Sequence, residues 1–245
     1  MKLISYLHGG SSHWGCVVGD GVVNLSRRLP AFASVSALLA GGEAALAQAR
    51  AAAEGAEPDH ALADVRFELP IAQPRRVFCI GVNYAHRNAE YKDGSDLPKY
   101  PSIFMRVAES FVGHGEALQQ PLESTQLDYE GEIAIVIGRR ARRVNGDEAL
   151  ACIAGLTCMN EGTIRDWVHH AKFNVTQGKN FNASGAIGPP IAANRGCASP
   201  YEIGSTGIFV MIGDSAMVVR RAPGTAPMPI VTEVVDAHDV SLVAE

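Results

Sequence analysis

Apolar and polar positions give the chain two different textures. Over roughly the first thirty residues, short apolar runs alternate with glycine-containing breaks. "HWGCVVGDGVVNLS", residues 13–26, places two such runs around Gly19, Asp20 and Gly21, which predicts a β-hairpin. The "HGG" at His8 predicts another hairpin turn: it is similar to a lipase oxyanion loop, but no G-x-S-x-G follows. "SVSALLAGGEAALAQARAAAEG", residues 34–55, is alanine-rich and predicts helix, interrupted at Gly41 and Gly42. A connector rich in proline and charge, residues 57–76, leads into the second texture. There "VFCIGVNY", "SIFMRV" and "EIAIVIG" read as strands, and "AHRNAEYK" as a helix. "DEALACIAGLTCMNEGTIRDWVHH" combines a helix with a strand, "GIFVMIGDSAMVV" has a hairpin pattern, and "MPIVTEVVDAHDVSLV" reads as an amphipathic helix. Strands outnumber helices and do not alternate with them, so the expected class is α+β, mostly β. The expected division is a small α+β unit over 1–72 and a larger unit over 73–245.

One strand carries a conflict. In "LDYEGEIAIVIG", residues 127–138, a run suited to burial begins with Asp128, Glu130 and Glu132. On a continuous strand these three point to one side. Carboxylates gathered at a buried strand mouth repel one another and resist desolvation, so a cation is expected there. A third acid in a suggestive context, Glu161, follows another apolar run. Three carboxylates suit a hard divalent ion such as Mg²⁺, with places left for water and a chelating ligand. Zinc is disfavoured, because no His or Cys shares the spacing. On residue types alone the alternative stays open that the two glutamates rim a solvated strand end and pair with Arg139 or Arg140.

Composition narrows the classes. Of the 245 residues 47% are hydrophobic and 19% charged, as in an ordinary globular protein, and a net charge of −5 argues against nucleic-acid binding. No apolar run is long enough to span a bilayer, and the N-terminus lacks a signal-peptide pattern. Five scattered cysteines, an odd number, fit a reducing compartment, so a cytoplasmic location is expected. A Rossmann-type dehydrogenase is disfavoured, because "GVNYAHRNAE" is not G-x-G-x-x-G.

Taken in order, "IGVNYAHRNAEY", "LDYEGEIAIVIG", "NEGTIRDW" and "QGKNFNASGAIGPPI" resemble the fumarylacetoacetate hydrolase family over residues 77–191. The resemblance implies a β-roll of twisted, mainly antiparallel sheets behind a small N-terminal domain, assembled as a homodimer. It implies an Mg²⁺ or Mn²⁺ site (Ca²⁺ in some members) held by Glu130, Glu132 and Glu161, the last standing where the family normally has Asp. It also implies a further stretch beyond "VSLV" that is absent here, so the 73–245 unit is expected to be incomplete at its C-terminal end.

The family's lysine matches Lys179, which would bind substrate negative charge or a developing enolate. Its arginine matches Arg165, expected one helical turn after Glu161, to orient a carboxylate or grip a substrate carboxylate. Arg106 ends a strand in the family manner and is a substrate-binding candidate. Asn182 stands where many members carry Asp. In G-x-N-Y-x-x-H-x-x-E, Asn83, Tyr84 and Glu90 match, but Arg87 occupies the histidine position and His86 precedes it. Either Arg87 binds an anion while Glu90 alone is the base, or the helix shifts register and His86 serves. The implied activity is metal-dependent C–C bond hydrolysis of an acylpyruvate-type 2-oxo or β-diketo acid, as in aromatic catabolism, with the metal stabilising an enolate. Decarboxylase, hydratase or isomerase chemistry on the same substrates is the alternative, and a non-catalytic metal-binding member is the other.

Overall fold

The computed structural model describes residues 1–81, 102–144, 146–171, 174–193, 209–212 and 217–218. The helices expected at 85–92 and 228–243 lie outside these residues.

The N-terminal apolar runs form the expected meander of β1 (Lys2–His8), β2 (Ser11–Val18) and β3 (Gly21–Asn24). Gly9 and Gly10, at φ 56° and 79°, make the first turn in a backbone region that side chains disfavour. The alanine-rich segment forms two helices, Val35–Ala40 and Gly42–Ala53, and breaks where the glycine pair stands. Ser34 caps the first by accepting the Ala37 N–H at 3.2 Å. β4 (His60–Ala61) and β5 (Arg66–Phe67) complete this unit on β3 and β1.

The second texture supplies β6 (Val77–Gly81), β7 (Ser102–Arg106), β8 (Phe111–Gly113), β9 (Leu127–Asp128) and β10 (Gly131–Ile137). The helix Gly146–Leu150 leads to β11 (Ile153–Asn160) and β12 (Thr163–Ile164). The short helix Thr176–Lys179 precedes β13 (Gly185–Ile187), β14 (Ile191–Ala193), β15 (Phe209–Ile212) and β16 (Met217–Val218).

One sheet runs β4-β3-β2-β1-β14-β11-β10-β15-β6-β7, and a second pairs β9 with β12. Pairing among the described strands is antiparallel except for β10 with β15 and β8 with β13. The class is therefore α+β and mostly β. The segment expected as a hairpin gives two strands that both pair on β10, β15 parallel and β16 antiparallel. The sheet also crosses the expected division at 72/73, because β14 bridges β1 to β11. The core follows it: Leu38, Leu46 and Trp14 pack in one cluster with Val136 and Ile191. Burying this shared apolar surface stabilises the fold by roughly 25 cal/mol per Å².

A histidine cluster decorates the N-terminal sheet. His60 stacks on His8 with ring centroids 3.9 Å apart, and His13 and Tyr6 stand at 6.2 and 5.8 Å. Burial, then the neighbouring His8, holds the His60 imidazole below its ordinary value, against the opposing pull of Asp59. The unfolded chain therefore takes up a proton on His60 more readily than the folded one. Stability is fully present above the ordinary histidine range and is lost as pH falls through the lowered folded value. The unfolding midpoint is expected to drop between about pH 7.5 and about pH 5.5, with a smaller drop in His60→Gln. Equal slopes in the two proteins would remove His60 from this account.

Candidate metal centre

Strand register builds the site. On β10 residues alternate in burial, so Glu132 points inward with Ala134 and Val136, and it is 0% exposed. β10 pairs with β11 so that Gly131 faces Asn160 and Glu132 faces Met159. One residue further, the Glu161 N–H donates to the Glu130 carbonyl at 2.7 Å, and the Glu130 N–H donates to Asn160 Oδ1 at 3.1 Å. Two strand ends thus deliver Glu130, Glu132 and Glu161 to one place, with one carboxylate oxygen of each within 4.8 Å of the others. The expected continuous strand through Asp128, Glu130 and Glu132 is corrected. The chain leaves β9 after Asp128 and enters β10 only at Gly131, because β9 pairs instead with β12.

Among the described residues two side-chain cations stand at the site, and they are neither Arg139 nor Arg140. Lys179 Nζ lies 2.6 Å from Glu130 Oε2 and 3.3 Å from Glu161 Oε2, its side chain only 7% exposed. Arg165 binds Glu130 Oε1 through Nη1 at 2.6 Å and Asp128 Oδ2 through Nε at 2.8 Å. Burial alone would raise Glu130, but Lys179 and Arg165 outweigh it and hold the carboxyl below its ordinary value. Burial would likewise lower Lys179, yet Glu161 and Glu130 hold it above its usual range, so it is an ammonium here.

Two expectations about cations change. Arg165 is not one helical turn beyond Glu161: the intervening chain is extended through β12, and its partners are Glu130 and Asp128. Arg106 is 2% exposed. Its Nε donates to Ser110 Oγ at 3.1 Å, Nη1 to the Gly162 carbonyl at 3.1 Å, and Nη2 to Ser184 Oγ at 3.0 Å and the Ser110 carbonyl at 3.3 Å. Its donors are thus spent inside the protein, on the chain next to Glu161, rather than facing open space. Sequence reasoning missed this serine-and-glycine hub, since nothing local links residues 106, 110, 162 and 184. It also read Cys79 only as one of five cysteines that fit a reducing compartment. Burial, and then the charge of Glu161 beside it, push that thiol well up. Asn182 is exposed and Lys179 is buried. Asn83, Tyr84, His86, Arg87 and Glu90 lie outside the described residues.

The donor set fits a hard divalent cation. All three acids offer oxygen, Glu132 and Glu161 are buried, and Glu161 Oε1 accepts no hydrogen bond from any described residue. A buried carboxylate oxygen without a donor is costly unless a cation satisfies it.

Residues 76–207 match the family model described as Fumarylacetoacetate (FAA) hydrolase C-terminal. The chain is 32% identical over 187 residues to the oxaloacetate tautomerase Fahd2a, mitochondrial, of Rattus norvegicus, a match covering 76% of this chain and 59% of the rat protein. It therefore spans less than two thirds of that relative's length. The fumarylacetoacetate hydrolase of psychrophilic Exiguobacterium antarcticum superposes with a TM-score of 0.57 at 25% identity, covering 79% of this chain and 66% of that one. The maleylpyruvate hydrolase of Sphingobium sp. SYK-6, described in complex with manganese(II) ion and pyruvate, shares the fold with a TM-score of 0.62 at 19% identity, covering 82% of this chain and 70% of that one. No helix among the described residues is long and apolar enough to cross a membrane.

Proposed function

Because the chain belongs to the fumarylacetoacetate hydrolase family, we propose that it is a divalent-metal enzyme that forms and protonates the enolate of a small 2-oxo acid, with oxaloacetate keto–enol exchange as the first candidate. The observation that carries this reading is the convergence of three carboxylates and a buried ammonium at the ends of β10 and β11. The choice of oxaloacetate draws on the name of the 32%-identical relative. The second reading is C–C bond hydrolysis of an acylpyruvate, favoured by the family's own name and by the Exiguobacterium enzyme.

Glu130, Glu132 and Glu161 would hold the ion, with Mg²⁺ or Mn²⁺ first and Ca²⁺ as the other candidate. Bound there, a divalent cation polarises a carbonyl oxygen and offsets developing negative charge. Arg165 fixes the Glu130 carboxylate from one side and is itself anchored on Asp128. Lys179 supplies a positive charge that would offset enolate charge on a substrate. On the family motif, Glu90 moves the proton, with His86 as the other candidate; Arg87 binds a substrate carboxylate, and Asn83 and Tyr84 are further substrate-binding candidates. Keto–enol exchange needs a proton moved between carbon and oxygen but no hydrolytic water, so it tolerates arginine at position 87. Cytosolic residence and a homodimer complete the proposal; the first draws on Cys16, Cys79, Cys152 and Cys158, free among the described residues.

The test follows decay of the oxaloacetate enol by its ultraviolet absorbance, with added Mg²⁺ or Mn²⁺ and with chelator. In parallel, pyruvate release is measured from acetylpyruvate and fumarylpyruvate. Enol decay that the protein accelerates only with metal supports the first reading. Metal-dependent pyruvate release without enol acceleration moves the assignment to hydrolysis. A metal-loaded, folded protein inert in both assays would sink the enzyme reading.

A further inference from the structure

Both oxygens of Glu130 are already in use: Arg165 holds Oε1 at 2.6 Å and Lys179 holds Oε2 at 2.6 Å. Lys179 also reaches Glu161 Oε2 at 3.3 Å, so its ammonium bridges two of the three carboxylates that would ligate a metal. We infer that Lys179 competes with a divalent ion for Glu130 and Glu161: the ion binds by displacing its ammonium, releasing Lys179 for an anionic substrate. The inference rests on the proposed metal-enzyme reading and adds to it an order of binding, metal before substrate.

Three observations make Lys179 the group that yields. Two cations sharing Glu130 and Glu161 would stand close together in a buried place, where screening is weak. Arg165 has a second anchor in Asp128 and a rigid planar head, whereas Lys179 carries a single ammonium on a flexible four-carbon stem. Beyond its two acids, Lys179 Nζ stands 5.2 Å from the Phe104 ring centroid, a weaker hold than the second carboxylate that anchors Arg165.

The exchange also gives the site a logic. While Lys179 is held by Glu130 and Glu161, its charge is spent on the protein and is a poor receptor for a substrate carboxylate or enolate. Once those acids turn to a divalent ion, the ammonium has no remaining acidic partner among its two, and an anion becomes its best neighbour. Oxalate, a compact dianion that chelates and carries negative charge, should therefore bind only the metal-loaded protein.

The experiment uses the full chain. Calorimetry first establishes Mg²⁺ saturation. The protein is then acylated with N-hydroxysuccinimidyl acetate, with and without saturating Mg²⁺, and modification of Lys179 is quantified by mass spectrometry against the exposed Lys2. Displacement predicts that Mg²⁺ speeds Lys179 acylation by about tenfold or more while Lys2 is unchanged, since a paired, buried ammonium is shielded. An unchanged or slower rate at proven saturation overturns the inference. Lys179→Met adds a second reading: without its competitor Mg²⁺ is expected to bind about tenfold more tightly, and equal or weaker binding overturns the inference. Acylation of the wild-type protein remains decisive if the variant folds poorly. If Mg²⁺ does not bind wild type at all, the metal-enzyme reading itself fails. If Mg²⁺ and then oxalate bind but Lys179 is unresponsive, only the displacement fails.

Discussion

Glu132→Gln is expected to abolish saturable Mg²⁺ binding and to lower metal-dependent turnover by roughly 1,000-fold, the equivalent of several kcal/mol of lost transition-state stabilisation. The substitution conserves shape and changes charge. Glu132 is 0% exposed on β10, between the backbone partners Met159 on β11 and Val218 on β16. Glutamine keeps the same length and leaves those backbone hydrogen bonds intact, so circular dichroism and the unfolding midpoint should stay near wild type or rise. A rise is expected because removing one of three clustered negative charges relieves repulsion that the metal otherwise offsets. Calorimetry with Mg²⁺ and the enol-decay assay check the two halves separately. Unchanged metal affinity would show that Glu130 and Glu161 suffice and that Glu132 is a buried structural acid. Lost turnover with intact metal binding would assign Glu132 to the substrate instead.

The parts of this fold written in local periodicity were legible. The turns at Gly9–Gly10 and Gly19–Asp20, the helix break at Gly41–Gly42 and the cores of β6, β7, β10 and β11 all follow from patterns within a dozen residues. Glu130 and Glu132 were visible for the same reason, as acids misplaced at the mouth of an apolar strand. Glu161 was picked out as an acid following another apolar run, Lys179 was reached through the resemblance, and the structure brings both to those acids. The failures are long-range. Glu161 and Arg165, four apart, suggested a helical turn, but β12 pairs with β9 and holds the chain between them extended, with Gly162 packed tightly against Ser184. A Cβ there would meet the Ser184 carbonyl oxygen at 1.9 Å, and the chain passes Ser184 extended before β12 pairs with β9. The parallel pairing of β15 on β10, and the bridge from β1 to β11 through β14, likewise join segments far apart in sequence. Those pairings are set by which apolar faces meet in the folded chain, and no local pattern encodes them.

Arg106 gives the most instructive test of that long-range organisation. Arg106→Met is expected to destabilise the protein by about 3–5 kcal/mol, the usual consequence of removing a buried charged partner. The Ser110 carbonyl, the Gly162 carbonyl and the hydroxyls of Ser110 and Ser184 would lose their donor together, and each buried polar group left unsatisfied costs about 1–3 kcal/mol. Negative charge on Glu161 and Glu130, which opposes the effect of burial on Arg106, would also lose a nearby cation. In a chain of this size the change corresponds to a drop in unfolding midpoint of about 10 °C or more. Arg106→Lys keeps the charge and the position over the Phe111 ring, 4.2 Å from its centroid in wild type. A single ammonium has three donors and no planar fork, so it cannot reach all four acceptors, and the stability loss should be intermediate. Because Gly162 follows Glu161 directly, the lysine variant should also bind Mg²⁺ more weakly, with KM for oxaloacetate little changed at saturating metal. That pattern separates the two roles. If Arg106 were a substrate-binding residue, as the strand-end resemblance suggested, Arg106→Met would raise KM and leave the unfolding midpoint and metal affinity at wild-type values. The four internal hydrogen bonds favour the first pattern, in which a strand-end arginine holds the backbone next to Glu161, a proposed metal ligand.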